Sequence, residues 1–116
     1  MHEMALTRDV VDIVVNEAEK AGAHRVNAVY LTIGYARDIV DELFEKCFAY
    51  LARGTVAQGA ELVLERTPLM VRCDSCGAVY HPDVFGAKAH PCPCCGSKGY
   101  TLRSGYEFAI DRIEAA

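Results

Sequence analysis

Four cysteines constrain this chain more than any other feature. Cys73-Asp74-Ser75-Cys76 and Cys92-Pro93-Cys94-Cys95 are two C-x-x-C pairs separated by the 15 residues Gly77 to Pro91. Two thiolates three positions apart on a tight turn can both face one ion, and a second such turn completes a tetrahedron, for which Zn²⁺ is the usual occupant. Gly77 and Gly96 follow the second cysteine of each pair, where the chain turns away from the ion and a positive φ is often needed. The competing readings are disulfides or separate buried thiols. Six cysteines could form three bridges, but the adjacent Cys94 and Cys95 and the three-residue spacings suit a metal better than a disulfide framework. Cys94 is surplus to a four-ligand site; it either exchanges with Cys92 or Cys95 as a ligand or faces solvent. His81 and His90 lie inside the metal loop as weaker ligand candidates, because four cysteines already satisfy zinc. Cys47 stands apart at a helical apolar position and reads as a small core residue.

The start, Met1-His2-Glu3-Met4, lacks the basic region and apolar run of a secretory signal, so a reducing, cytoplasmic setting is expected. With 116 residues, 52% of them hydrophobic, the larger part of the chain can bury its own core, whereas the metal module cannot fold alone. A net charge of −4 argues against nucleic acid as the main partner, since phosphate binding needs a basic surface. No stretch approaches the roughly 18 consecutive apolar residues of a membrane span.

Periodicity organises the rest. Val10, Val11, Val14, Ala18 and Ala21 recur at helical spacing between Met4 and Ala21, with charged residues on the opposite face and Gly22 as the stop. Arg25 to Ile33 reads as a strand ended by Gly34. Asp38 is the expected N-cap of a second helix whose buried stripe is Val40, Leu43, Phe44, Cys47 and Leu51. Glu61–Glu65 alternates as a half-buried strand. Tyr100–Leu102 reads as a short strand and Tyr106–Ile113 as a final one. Tyr30, Phe44, Tyr50 and Phe108 fall at core-like spacings, and His24 reads as a surface residue. We therefore expect an α+β fold: two helices on a small, mostly antiparallel three-stranded sheet, with an inserted four-cysteine zinc-knuckle module. Strands Glu61–Glu65 and Tyr106–Ile113 are expected to pair and return the chain to the sheet. Residues 1–66 and 105–116 would form one domain and 67–104 the other.

The order of several motifs resembles the hydrogenase maturation factor family HypA/HybF over nearly the whole chain. These are Met1-His2-Glu3, an Arg25-Val26 strand ending in Ile33-Gly34, Arg53-Gly54-Thr55, Gly59-Ala60-Glu61-Leu62, the pair at Cys73, and Cys92-Pro93-Cys94-Cys95-Gly96-Ser97. The resemblance implies a nickel-binding N-terminal module, structural zinc on Cys73, Cys76, Cys92 and Cys95, and no catalysis. It further implies delivery of Ni²⁺ to a hydrogenase large subunit together with a HypB-type GTPase. Gly34-Tyr35 and the following Ala36-Arg37-Asp38-Ile39 depart from the family pattern, which has Gly-Glu there.

The chemistry of the terminus fits that implication. The free amine of Met1, the backbone nitrogens that follow and His2 Nδ1 can form fused chelate rings, and all-nitrogen tetragonal ligation suits Ni(II) or Cu(II). Glu3 would supply its backbone nitrogen, with its carboxylate as an outer partner. The bland alternatives are a solvated terminus and, for Glu3, a solvated charge or a helix cap. Two other functions compete on the cysteines alone. A zinc-ribbon protein-interaction or nucleic-acid-binding module would show salt-dependent nucleic-acid binding. A rubredoxin-like iron carrier would be red and undergo a one-electron couple. Both a monomer and a homodimer are compatible with the sequence.

Overall fold

The computed structural model describes residues 3–82 and 92–116. The elements run α1 (Glu3–Lys20), β1 (Val26–Gly34), α2 (Asp41–Leu51), β2 (Glu61–Thr67), β3 (Met70–Cys73), β4 (Val79–Tyr80), β5 (Tyr100–Ser104) and β6 (Phe108–Ala115). They form two three-stranded sheets, ordered β2-β1-β6 and β4-β3-β5. The chain divides into two compact units. The first holds residues 1–32, 38–65 and 108–116, and the second 33–37 and 66–107.

In the first unit the apolar faces of both helices meet a sheet. Val10, Val11, Val14 and Ala18 of α1 are buried, as are Val26, Val29 and Leu31 of β1 and Phe44, Cys47 and Phe48 of α2. The Phe44 and Phe108 rings meet edge to face at 6.2 Å, the favoured geometry for an aromatic pair. Thr7, also buried, donates its hydroxyl to the carbonyl of Glu3, which removes the cost of burying it unpaired.

The sheet order differs from the expected one. β1 lies between β2 and β6, so the strands expected to pair do not touch. β6 runs antiparallel to β1, with Gly34 N–H bonded to Glu107 O at one end and Ala116 N–H to Arg25 O at the other. Just past the C-terminal ends of β1 and β2, Tyr35 N–H bonds Thr67 O at 2.9 Å. The two strands thus run the same way, with α2 as their crossover. Antiparallel pairings still predominate across the two sheets.

The second helix starts later than expected. Its N-cap is Val40, without a side-chain cap, and not Asp38. In the preceding segment Ala36 N–H bonds Gly105 O and Arg37 Nε bonds Tyr106 O at 2.8 Å, while Ile39 is buried ahead of the helix and Val40 N–H lies 3.4 Å from Glu3 Oε1. The stripe of the helix shifts accordingly: Val40 and Leu43 are exposed, while Phe44, Cys47 and Phe48 are buried. Tyr50 is exposed as well, with the Arg53 guanidinium 4.2 Å above its ring. Tyr30 is half-buried beneath Arg112. An aromatic at helical or strand spacing can cover a cation as readily as fill a core.

The second unit is built on antiparallel pairs: Val71 faces Tyr80 on β4 and Leu102 on β5, and Cys73 faces Tyr100. Its core consists of Val71, Cys73, Tyr80 and Cys92, with Ala78 against them. Gly34 packs so closely here that a Cβ on it would run into the carbonyl of Gly105. Tyr35, next in the chain, is exposed with the Arg66 guanidinium 5.4 Å from its ring.

Candidate metal centre

Each cysteine pair sits on the same backbone device. Cys73 ends β3, its N–H bonded to Ala78 O and its carbonyl accepting from Gly77 N–H at 2.9 Å. Cys92 likewise donates to Ser97 O and accepts from Gly96 N–H at 2.8 Å. Gly77 has φ 78° and Gly96 φ 76°, a conformation that a Cβ disfavours. The repeated motif turns both pairs of thiols toward one point.

The four sulfurs of Cys73, Cys76, Cys92 and Cys95 all lie within 4.8 Å of one another. Cys73 and Cys95 are 3.5 Å apart at Sγ, and Cys76 and Cys92 3.6 Å. A tetrahedral ion with Zn–S bonds of about 2.3 Å requires sulfur separations of about 3.8 Å, so the set fits zinc with only small adjustment. All six cysteines are free of disulfides. Cys73 and Cys92 are buried, and Cys76 and Cys95 reach the surface.

The turns are fastened to each other by polar residues that sequence reading passed over. Ser75 Oγ bonds Ser97 Oγ at 3.0 Å, and Thr101 Oγ1 donates to Asp74 Oδ1 at 2.6 Å. Asp74 N–H also bonds Gly99 O. A small hydroxyl in the first pair and another just after the second was the available signal. Backbone also reaches the sulfurs, since Cys94 N–H lies 3.4 Å from Cys92 Sγ. Such bonds stabilise thiolates.

The four thiols do not ionise alike. The backbone N–H of Cys76, with that of Ser75 assisting, pulls the Cys73 thiol down to about 6 against the opposing effect of burial. The Cys92 thiol is also lowered, the N–H groups of Cys95 and Cys94 outweighing its burial. For Cys76 the Ala78 N–H favours the thiolate, but the neighbouring Cys92 sulfur and burial prevail and push it up to about 12. Cys95 is raised in the same way, its Ser97 N–H overcome by Cys73 and by burial. Four negative sulfurs at such distances need a cation between them. Because the Cys73 thiol is already ionised at pH 7.5, zinc binding there should release no more than about three protons, where unperturbed thiols would give nearly four, and the affinity should fall on acidification. Calorimetric heats in buffers of different ionisation enthalpy count the protons; a release of four would contradict this inequality.

Of the remaining candidates, His81 turns its Nδ1 to Leu69 O at 2.6 Å and is not among the clustered ligands. Cys94 is exposed and Cys47 is buried in α2. Met1, His2 and His90 lie outside the described residues. Glu3 opens α1, and its Oε1 lies 3.4 Å from Val40 N at the start of α2.

A protein-family profile described as hydrogenase/urease nickel incorporation, metallochaperone, hypA, matches residues 1–115. The chain belongs to the HypA family. A hydrogenase maturation factor HypA of Geobacter metallireducens is 39% identical over 114 residues, 98% of each chain. One from Chlorobaculum tepidum is 37% identical over 110 residues, 95% of each. Among solved structures, the solution structure of a HypA protein has a TM-score of 0.75 at 23% identity, covering 100% of this chain and 97% of the other. The Ni metallochaperone HypA from Helicobacter pylori has a TM-score of 0.65 at 22% identity, covering 99% and 97%. At these identities the two structures support the HypA fold, here an α+β arrangement with a four-cysteine centre. Among the described residues, no helix is long and apolar enough to cross a membrane.

Proposed function

We propose that the chain is a nickel metallochaperone, not an enzyme, that delivers Ni²⁺ to a hydrogenase large subunit in concert with a HypB-type GTPase in the cytoplasm. The observation that carries this reading is the HypA-family match, which runs from residue 1 and so includes Met1-His2-Glu3. Nickel is cargo in this reading. Residues 1–66 and 105–116 act as the nickel-binding domain and 67–104 as the zinc-binding domain, with Cys73, Cys76, Cys92 and Cys95 holding structural Zn²⁺.

Nickel is held by the Met1 amine, the following backbone nitrogens and His2 Nδ1, a donor set suited to tetragonal Ni(II). The Glu3 carboxylate points at Val40 N, which supports a positioning role: it ties the first turn of α1 to the start of α2. The zinc-ribbon or nucleic-acid reading is not favoured, because the net charge is −4 and phosphate binding draws on basic surface.

The test is a calorimetric Ni²⁺ titration of the zinc-loaded, untagged chain beside His2→Ala and a chain lengthened by one residue before Met1. One nickel per chain for the native protein, with affinity lowered at least about 100-fold in both variants, is the expected result. Equal binding by all three would move nickel elsewhere and sink the terminal site.

A further inference from the structure

The sheet of the first unit is too narrow for the helices it carries. Two packed helices, each about 10 Å across, cover roughly 20 Å, whereas three strands at about 4.8 Å spacing are only about 14 Å wide. The overhang falls beside β6, which ends the order β2-β1-β6. Two adjoining grooves of about 430 and 390 Å³ run between α1 and β6 and share Ile13 and Ile110. Leu6, Val10 and Phe108 extend the apolar floor at one end, and Ile113 at the other. Ile13, at the centre, is 49% exposed. Among the described residues no strand pairs with the outer edge of β6, so its peptide groups on that side form an open template beside an apolar lane.

The charges indicate what fits. The charged groups lining the grooves are Asp9, Glu17, Asp111 and Arg112. Arg112 is already engaged, with its guanidinium 4.0 Å from the Tyr30 ring and 3.1 Å from Glu114 Oε1. Asp111 accepts the Thr32 hydroxyl, and Glu17 has an exposed pairing with Lys20 at 3.7 Å, of a kind worth little. The unit as a whole carries 13 acidic and 6 basic residues. A second copy of the chain is a poor occupant. Two-fold antiparallel pairing of β6 with itself in the registers of greatest overlap, centred on Asp111 or Arg112, sets that charge against its own copy, which destabilises a sheet.

We propose that the open edge of β6 and the flank of α1 form a docking site for an extended segment of a partner protein, apolar at alternate positions and lysine- or arginine-bearing between them. The segment adds to the sheet as a fourth strand. Its main chain pairs with β6, its apolar side chains cover Ile13 and Ile110, and its cations, which point to the opposite face of the sheet, meet Asp111 where that carboxylate accepts the Thr32 hydroxyl. This site is independent of the nickel reading.

The test uses the full-length, zinc-loaded, ¹⁵N-labelled chain and an acetylated peptide of alternating valine and lysine as the probe. Two control peptides replace lysine by glutamate or carry N-methyl groups throughout. The expected result is amide shifts centred on Ile110–Ile113, with both controls binding at least about tenfold more weakly. Ile13→Ser should weaken the probe about three- to tenfold while leaving the melting temperature unchanged. Equal binding of the N-methylated peptide would overturn strand addition. Absence of shifts at millimolar probe, or shifts confined to the second unit, would overturn the site. Shifts at β6 that follow protein concentration alone would give the edge to a second copy instead.

Discussion

Cys73→Ser is expected to abolish zinc retention and to melt β3, β4 and β5 while leaving the first unit folded. The buried core of the second unit is Val71, Cys73, Tyr80 and Cys92, and two of these four are thiols of the metal cluster. What remains is far too little apolar area to order a segment of this length by itself. A structural zinc site supplies about 10–16 kcal/mol in zinc-finger peptides, several times what such a core can offer. The loss should therefore be complete and not graded. The first unit buries Val14, Val29, Leu31 and Phe44 without help from the cysteine cluster, so its amide resonances should persist. Metal content by mass spectrometry and amide dispersion by NMR read the two effects separately. Removing zinc with a strong chelator should reproduce the variant's spectrum. Cys94→Ser is the control: Cys94 is exposed and outside the cluster, so one zinc per chain should remain. Zinc retained at full stoichiometry by Cys73→Ser would show that the four-thiolate reading is wrong.

Phe44→Ala should cost about 3–5 kcal/mol, the range for deleting a fully buried aromatic. Phe44 is fully buried and stacks edge to face on Phe108, so truncation opens a cavity between α2 and the strand that closes the sheet. Against a total stability of about 5–15 kcal/mol, that leaves the first unit marginal, and its melting temperature should fall by roughly 15–25 °C. Leu43→Ala makes the discriminating comparison. Periodicity put Leu43 in the same buried stripe, yet it is 44% exposed, so its loss should cost under about 1 kcal/mol. Comparable melting shifts for the two variants would show that the helix is rotated from the orientation described.

The contrast between these neighbours shows where periodicity fails. A helical repeat marks a wide apolar arc, and only the neighbours of the helix decide which part of that arc is covered. In α2 periodicity marks Val40, Leu43, Phe44, Cys47 and Leu51; packing buries Phe44 and Cys47 with Phe48 added, and leaves Val40 and Leu43 exposed. Asp38 has the right side chain for an N-cap, yet the helix starts after Val40, whose N–H lies against the carboxylate of Glu3, 37 positions away in sequence. No local pattern carries that information. The expected pairing of β2 with β6 failed for a related reason: the interposed β1 follows from the crossover through α2, a property of the whole sheet.

By itself the sequence determined the local chemistry of this protein. The two C-x-x-C pairs, with glycines placed for a left-handed turn, dictate a tetrathiolate cluster because spacing and φ are short-range properties. The helical and alternating apolar patterns likewise specified two helices and the main strands, and the motif order identified the HypA family. Tertiary structure alone decided what depends on long-range neighbours. It set the position of β1 between β2 and β6, the hydroxyl and carboxylate bonds that fasten the two knuckles, and the engagement of Glu3 with Val40. It also left the flank of α1 uncovered beside β6, because the width of a sheet against its helices is counted only once the elements are assembled.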